Sequence, residues 1–455
     1  MPPLPLLPPQ RRSLHRASTR HLMSVYPGLA NAQQASRGVY IGRDRYGGSF
    51  VYDPWELYRA GLLTNPNMLV IGQIGRGKSA LVKTYVWRQL VFGRQALLLD
   101  PKGENGPLCA AAGVSPIALR PDPLPGEGRG GVRLNPLDLG RLGDPQTRLQ
   151  ERSRIVAAIC GASLTRPLTP EERVAIELAV AAVTPRAPWH APTLPAVVDA
   201  LLSPSEAAGG GGADLHLSAQ ELRTSSRSVA LELRRLVDGD LRGMFDGETS
   251  DEIDLQAPLV SFDLSAVYGT AALPILMTCV AAWFQRVLSG DQGGGGAKRI
   301  VVLDEAWAVL SNLETAQWLR GAYKLARSYG VQYLAVLHRL ADLSAAGSAD
   351  SAQVRLARGL LSDTETVVVY GQPAAEVAST QSLLELNDTE ASLLSTLPRG
   401  TALWRVGGRS HLVEHRVGPD EVAIVDTDLR MSEKGAEFGA SQASTGRNSG
   451  VERSV

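Results

Sequence analysis

MLVIGQIGRGKSALVKTYVW, residues 68–87, decides how the rest of the chain is read. Its first four residues are an unbroken apolar run, the signature of a strand buried on both faces. Gly72-Gln73-Ile74-Gly75-Arg76-Gly77-Lys78-Ser79 then matches GxxxxGK[ST], a loop whose amides wrap phosphates because glycine lets the backbone come close. In such a loop Lys78 reaches the β- and γ-phosphates and Ser79 ligates Mg²⁺. A helical pattern from Lys78 to Phe92 stops at Gly93, and its N-terminus favours anions. ALLLD at 96–100 is the next apolar run. A strand-loop-helix-strand order of this kind specifies parallel strands.

Further out, the same pattern recurs. PLVSFDL at 258–264, RIVVLD at 299–304, VQYLAVL at 331–337 and TETVVVY at 364–370 are strand-like and alternate with helical segments. The expected fold is α/β, a RecA-like P-loop NTPase core with a mainly parallel sheet. Between 140 and 250 the pattern is helical and reads as an insertion into that core. Its clearest start is Thr169-Pro170-Glu171-Glu172, with a capping threonine, a proline at the first helical position and a glutamate placed to complete a capping box. The core is expected over 38–139 and 251–428, with VYIG and SFVYD as short strands before the P-loop. GGGG at 209–212 and at 293–296 reads as surface loop. The apolar stretch Ala271 to Phe284 is shorter than the roughly 20 residues of a membrane span and reads as a buried core helix.

The ends are different in character. Residues 1–37 hold five arginines, six prolines and no acidic residue, which suggests a flexible basic arm. The apolar opening is followed, not preceded, by Arg11 and Arg12, the reverse of a secretory signal. The aperiodic Ser, Gly, Glu and Arg composition of 429–455 suggests a disordered tail. Across the whole chain 46 basic residues balance 46 acidic ones, so overall charge makes no case for nucleic-acid binding. Cys109, Cys160 and Cys279 form no CxxC spacing and read as reduced thiols of a cytoplasmic protein.

Chemistry concentrates at the predicted strand ends. RIVVLDEAW closes a strand on Asp304, a candidate Mg²⁺ and nucleotide ligand, and Glu305, a candidate to orient or deprotonate an attacking water. Asp100-Pro101-Lys102-Gly103-Glu104 follows the strand at 96–100 at the same edge of the sheet; the alternative reading is a plain polar turn. A possible capping box, Ser311 with Glu314, starts the helical segment that Arg327 closes. There a cation also complements the helix dipole. His338 ends the next strand.

Taken together, the P-loop, DPKGE, Asn135-Pro136-Leu137-Asp138, Gly243-Met244-Phe245-Asp246-Gly247, DEAW and the Arg-x-x-Gly helix end resemble the HerA/FtsK superfamily of hexameric P-loop motors. Within it the likeness is greatest to the ATPases of conjugative type IV secretion. The resemblance spans about 38–428, and DEAW is its most specific part. It implies ATP and Mg²⁺ as ligands, phosphate binding by Lys78 and Ser79, a second nucleotide motif at Asp304 and Glu305, and Arg327 acting across a subunit boundary. Family members usually carry Gln where this chain has His338, which implies a sensing role at that position. Fewer than 70 residues precede the P-loop, where secretion ATPases usually carry a sizeable N-terminal domain. The implied function is an ATP-hydrolysing motor for transfer of DNA or protein, a homo-hexamer working with membrane-embedded secretion components at the cytoplasmic face. A soluble translocase or helicase acting directly on DNA is the alternative; a nucleotide-gated assembly factor and a metabolic kinase fit less well.

Overall fold

The computed structural model describes residues 37–121, 131–139, 144–164, 166–184, 191–204, 219–250, 253–254, 257–270, 272–289, 298–310, 313–338, 355, 359–360 and 364–425. Eleven strands form one sheet: β1 Val39–Asp44, β2 Ser49–Tyr52, β3 Met68–Ile71, β4 Gln95–Asp100, β5 Ile117–Ala118, β6 Leu259–Asp263, β7 Arg299–Leu303, β8 Val331–Leu337, β9 Thr366–Tyr370, β10 Thr401–Val406 and β11 Arg409–His415. Their order is β2-β1-β11-β10-β9-β3-β8-β7-β4-β6-β5. From β9 to β5 every pairing is parallel. The other end, β10, β11, β1 and β2, is antiparallel. The sheet is thus α/β and mainly parallel, as expected.

Each central strand is buried on both faces, so its residues alternate between two cores. Leu69, Ile71, Leu97 and Leu99 point into one. Met68, Val70, Ala96 and Leu98 point into the other. The first core is covered by helices Pro145–Leu164, Pro170–Val183, Leu194–Leu202, Leu273–Ser289 and Leu313–Ala326. The P-loop helix, Lys78–Val91, packs on the second. The helix starting at Leu273 is almost wholly buried as far as Phe284, with Trp283 edge-on to Phe262 of β6 at 5.6 Å. Among the described residues no helix is long and apolar enough to cross a membrane.

The Thr169 capping box forms as read: Thr169 Oγ1 accepts from Glu172 N, and the Glu172 carboxylate accepts from Thr169 N. The NPLD and GMFDG segments meet. Leu134 N donates to the Met244 carbonyl, Ser250 N donates to the Arg133 carbonyl, and Arg133 pairs with Asp246 at 3.2 Å. Asn135 N also donates to Thr249 Oγ1 at 3.0 Å, so the two segments are tied to each other. The β10–β11 hairpin was not anticipated, although Gly407-Gly408 at its tip, with φ of 54° and 79°, is a hairpin signature. The glycine runs, the partner Ser311 of Glu314, residues 1–36 and the tail from 426 lie outside the described residues.

The P-loop packs most tightly against β9 at Gly72. A Cβ on Gly72 would stand 2.5 Å from Tyr370 Cβ and 3.2 Å from its Cα. Gly72→Ala should therefore displace β9 or the loop, lowering stability by about 1–3 kcal/mol, the usual cost of overpacking. Thermal or urea unfolding checks this. A wild-type midpoint in the variant would mean that the junction is looser than it looks.

Candidate active site

Parallel pairing brings the ends of β3, β8, β7 and β4 to one edge of the sheet, and the sequence places its polar residues at or just beyond each end. β3 runs into the P-loop. β8 runs into His338, β7 into Asp304 and Glu305, and β4 into Asp100 and Lys102. The P-loop strand and the acidic strand are not adjacent but flank β8. That arrangement puts His338 between them.

Gly75 and Gly77 have φ of 78° and 110°, which L side chains avoid, and they let the loop curl over the helix N-terminus. Gly77 is the N-cap and supplies no side-chain hydrogen bond. The first amides of a 14-residue helix are thus available to an anion. Lys78 is 4% exposed and donates to the carbonyls of Gly72 and, at 3.1 Å, Gln73. Burial, with Lys102 adding repulsion against the opposing carboxylates, lowers its pKa to about 8. Arg76 is braced from behind, since its carbonyl accepts from Gly400 N at 3.0 Å. Ile74 is exposed on the loop's outer side, as is Ser79 at the helix start. A buried ammonium and an uncapped helix end in a glycine cradle suit a polyphosphate.

Glu305 is a non-glycine residue with φ of 52°. That left-handed backbone costs roughly 1–2 kcal/mol. It is sustained by Ala306 N donating to the Val336 carbonyl at 3.0 Å and Glu305 N donating to Asp304 Oδ1 at 3.0 Å. The result is a carboxylate turned into the edge and 2% exposed. Its Oε1 lies 2.5 Å from Lys102 Nζ and 2.7 Å from His338 Nε2, and its Oε2 accepts from Trp307 Nε1 at 2.6 Å. The imidazole donates through Nε2, the tautomer that satisfies the shorter of its contacts; Nδ1 has no hydrogen-bond partner among the described residues.

The two adjacent acids are driven apart electrostatically. Burial alone would raise Glu305, but the hydrogen bonds and charges of His338 and Lys102 outweigh it and hold the group at about 2. Asp304 is pushed up to about 6, first by burial and then by the charge of Glu305.

Arg327 does not join this group. It is exposed just after helix Leu313–Ala326 and before β8, at the opposite edge of the sheet. The seven residues of β8 separate the two edges, which is roughly 20 Å at strand rise. The residue that sequence reasoning left without a role is Lys102. Its turn is legible in the sequence, but only the pairing of β4 with β7 shows what the lysine touches. A separate cleft of about 670 Å³ lies among the helices, with Glu151, Arg154, Arg173, Glu314 and Arg320 on its walls. Arg154 pairs there with Glu151 and Arg173 with Glu314, so two of its cations are already neutralised.

The model of an AAA-like domain matches residues 60–116, the stretch holding the P-loop and the DPKGE turn. The fold is that of the P-loop NTPases. The chain's structure is similar to that of VirB4 of Thermoanaerobacter pseudethanolicus, at 21% identity and a TM-score of 0.68, over 86% of this chain and 99% of that one. It is also similar to the plasmid coupling protein TrwB in complex with ADP and Mg²⁺, at 16% identity and a TM-score of 0.53, over 84% and 91%. For TrwB with a non-hydrolysable ATP analogue the values are 17%, 0.52, 77% and 86%. A comparison with curated protein sequences gives no match.

Asp304 gives a stability test. Its folded pKa of about 6 lies above the ordinary 3.8, so folding disfavours its charge. The penalty is absent below the unfolded value, grows from about pH 4 to 6 and is complete above, at most roughly 3 kcal/mol. Free of nucleotide and Mg²⁺, Asp304→Asn should be more stable than wild type at pH 7.5, by up to about 2–3 kcal/mol, and little different at pH 4. Urea melts at the two pH values measure it. An equal gain at both would assign the effect to something other than ionisation.

Proposed function

We propose that this chain is an ATP-hydrolysing motor that powers conjugative transfer or type IV secretion of DNA or protein. The observation that carries the reading is the convergence of Lys78, Asp304, Glu305 and His338 on one sheet edge, in a fold like that of VirB4 and TrwB. The amides of Gly72 to Ser79, among them those of Gln73, Ile74 and Arg76, hold the phosphates, and Lys78 leaves its two carbonyls for them. Ser79 and Asp304 are the Mg²⁺ ligands; Mg²⁺, when bound, offsets phosphate charge. Glu305 orients and deprotonates the attacking water, and His338 senses the γ-phosphate or that water in the position where the resembled family has Gln.

Working partners are further copies of the chain, in a hexamer, and membrane-embedded secretion components at the cytoplasmic face. Turnover should fall about a hundredfold or more in Glu305→Gln while ATP still binds. In wild type, DNA should change turnover little. Strong stimulation by single- or double-stranded DNA would instead favour a translocase acting directly on DNA.

Arg327 is too far from its own P-loop to serve it, so any catalytic part it plays is in a neighbour's site. There a cation stabilises charge developing on the γ-phosphate, worth about 10³ to 10⁵ in rate, against roughly 0.3–1 kcal/mol for a charge at a helix end. Arg327→Ala should bind ATP and hydrolyse it poorly. Mixed with Lys78→Ala, which lacks its own site but supplies an intact Arg327, it should regain part of its activity. No complementation, with turnover independent of protein concentration, would return Arg327 to the helix end.

A further inference from the structure

Lys102 stands on the reacting edge without a part in the scheme so far. The turn that carries it is rigidly built. Asp100 Oδ2 accepts from Asn105 N at 2.7 Å, and the Asp100 carbonyl accepts from Leu264 N at 2.9 Å. Lys83 Nζ donates to the Glu104 carbonyl at 2.8 Å. Gly103, at φ 68°, is packed so closely that a Cβ would meet Asp263 Oδ1 at 3.0 Å. From this base the Lys102 side chain reaches Glu305 Oε1 at 2.5 Å and lies 3.2 Å from His338 Nε2.

The consequence falls on Glu305. Three donors, Lys102, His338 and Trp307, occupy its two oxygens. A carboxylate engaged in this way has little basicity left with which to activate water. Of the three, Lys102 alone carries a fixed positive charge on a flexible stem, and its side chain is 25% exposed. Lys102 and Lys78 stand at the same edge of the sheet, where β4 and β3 end.

We propose that Lys102 is a positioning residue: it holds Glu305 idle in the nucleotide-free protein and transfers its ammonium to the γ-phosphate of an entering nucleoside triphosphate. Glu305 is then released for water only when a γ-phosphate is present. A diphosphate leaves the Lys102–Glu305 pair intact. No bond is made or broken; one charge-assisted hydrogen bond replaces another. The inference rests on reading Gly72 to Ser79 as the nucleotide site.

Trp307 reports the event because its indole N–H is bonded to Glu305. Its emission is obtained as the difference between wild type and Trp307→Phe, in full-length protein without nucleotide, with ADP and with a non-hydrolysable ATP analogue. The analogue should shift the emission, and ADP should leave it at the nucleotide-free position. In Lys102→Met the nucleotide-free emission should already sit at the analogue-bound position and move no further. The preference for analogue over ADP should drop about tenfold, while ADP affinity is retained. Identical wild-type emission with ADP and analogue would overturn the proposal, as would a full analogue-specific shift in Lys102→Met. The wild-type comparison decides even if that variant fails to fold. Failure of the underlying reading looks different: wild type would bind neither nucleotide, or Lys78→Ala would bind both as well as wild type does.

Discussion

Parallel pairing of β3, β8, β7 and β4 is the constraint from which the site follows. Parallel strands in register end together, so the polar residues that follow the strand ends are delivered to the same edge. Lys78, His338, Glu305 and Lys102 are far apart in sequence, and the sheet makes them neighbours. The pairing is kept by burial on both faces. A slip by one residue would exchange the residues of the two cores, and a polar residue such as Thr366 or Gln332, now partnered by Tyr52 and Tyr85, would lose its hydrogen bond.

Because the site depends on register, its pieces were legible in the sequence before their relations were. The P-loop shows itself locally, since glycine spacing, an apolar run and a helix start lie within a dozen residues. Strands β3, β4, β6, β7, β8 and β9 were readable for a similar reason: being buried on both faces, they are nearly continuous apolar runs. The antiparallel end was harder. β10 and β11 are mixed in exposure, neither an unbroken apolar run nor a clean alternation, and TALWRVGGRSHLVEH reads as a hairpin only once Gly407-Gly408 is taken as a turn. No local pattern announces that Lys102 grips Glu305. The contact is a product of β4 lying beside β7 and belongs to neither motif alone.

Arg327 and His338 illustrate the same division. Both end or begin elements around β8, and their spacing in sequence gives no sense of distance. The strand carries His338 to the P-loop edge and leaves Arg327 at the other. A seven-residue strand is therefore enough to separate a side chain that meets the Glu305 carboxylate from one that lies far outside its reach.

Asp304 and Glu305 carry the argument furthest. Adjacent carboxylates in one buried turn would ordinarily share a single tendency, to be raised by burial and by each other. Here the left-handed backbone of Glu305 turns the two side chains to different surroundings. Glu305 meets His338, Lys102 and Trp307 and is held ionised; Asp304, with fewer compensating partners, is lifted to about 6. The strained φ is thus what separates their roles, one suited to gaining a divalent cation that would relieve its destabilised charge, the other to remaining anionic. The same partners that keep Glu305 ionised also spend its basicity. In this geometry both carboxylate oxygens are occupied, so taking up a proton at this edge would require that at least one of its partners first let go.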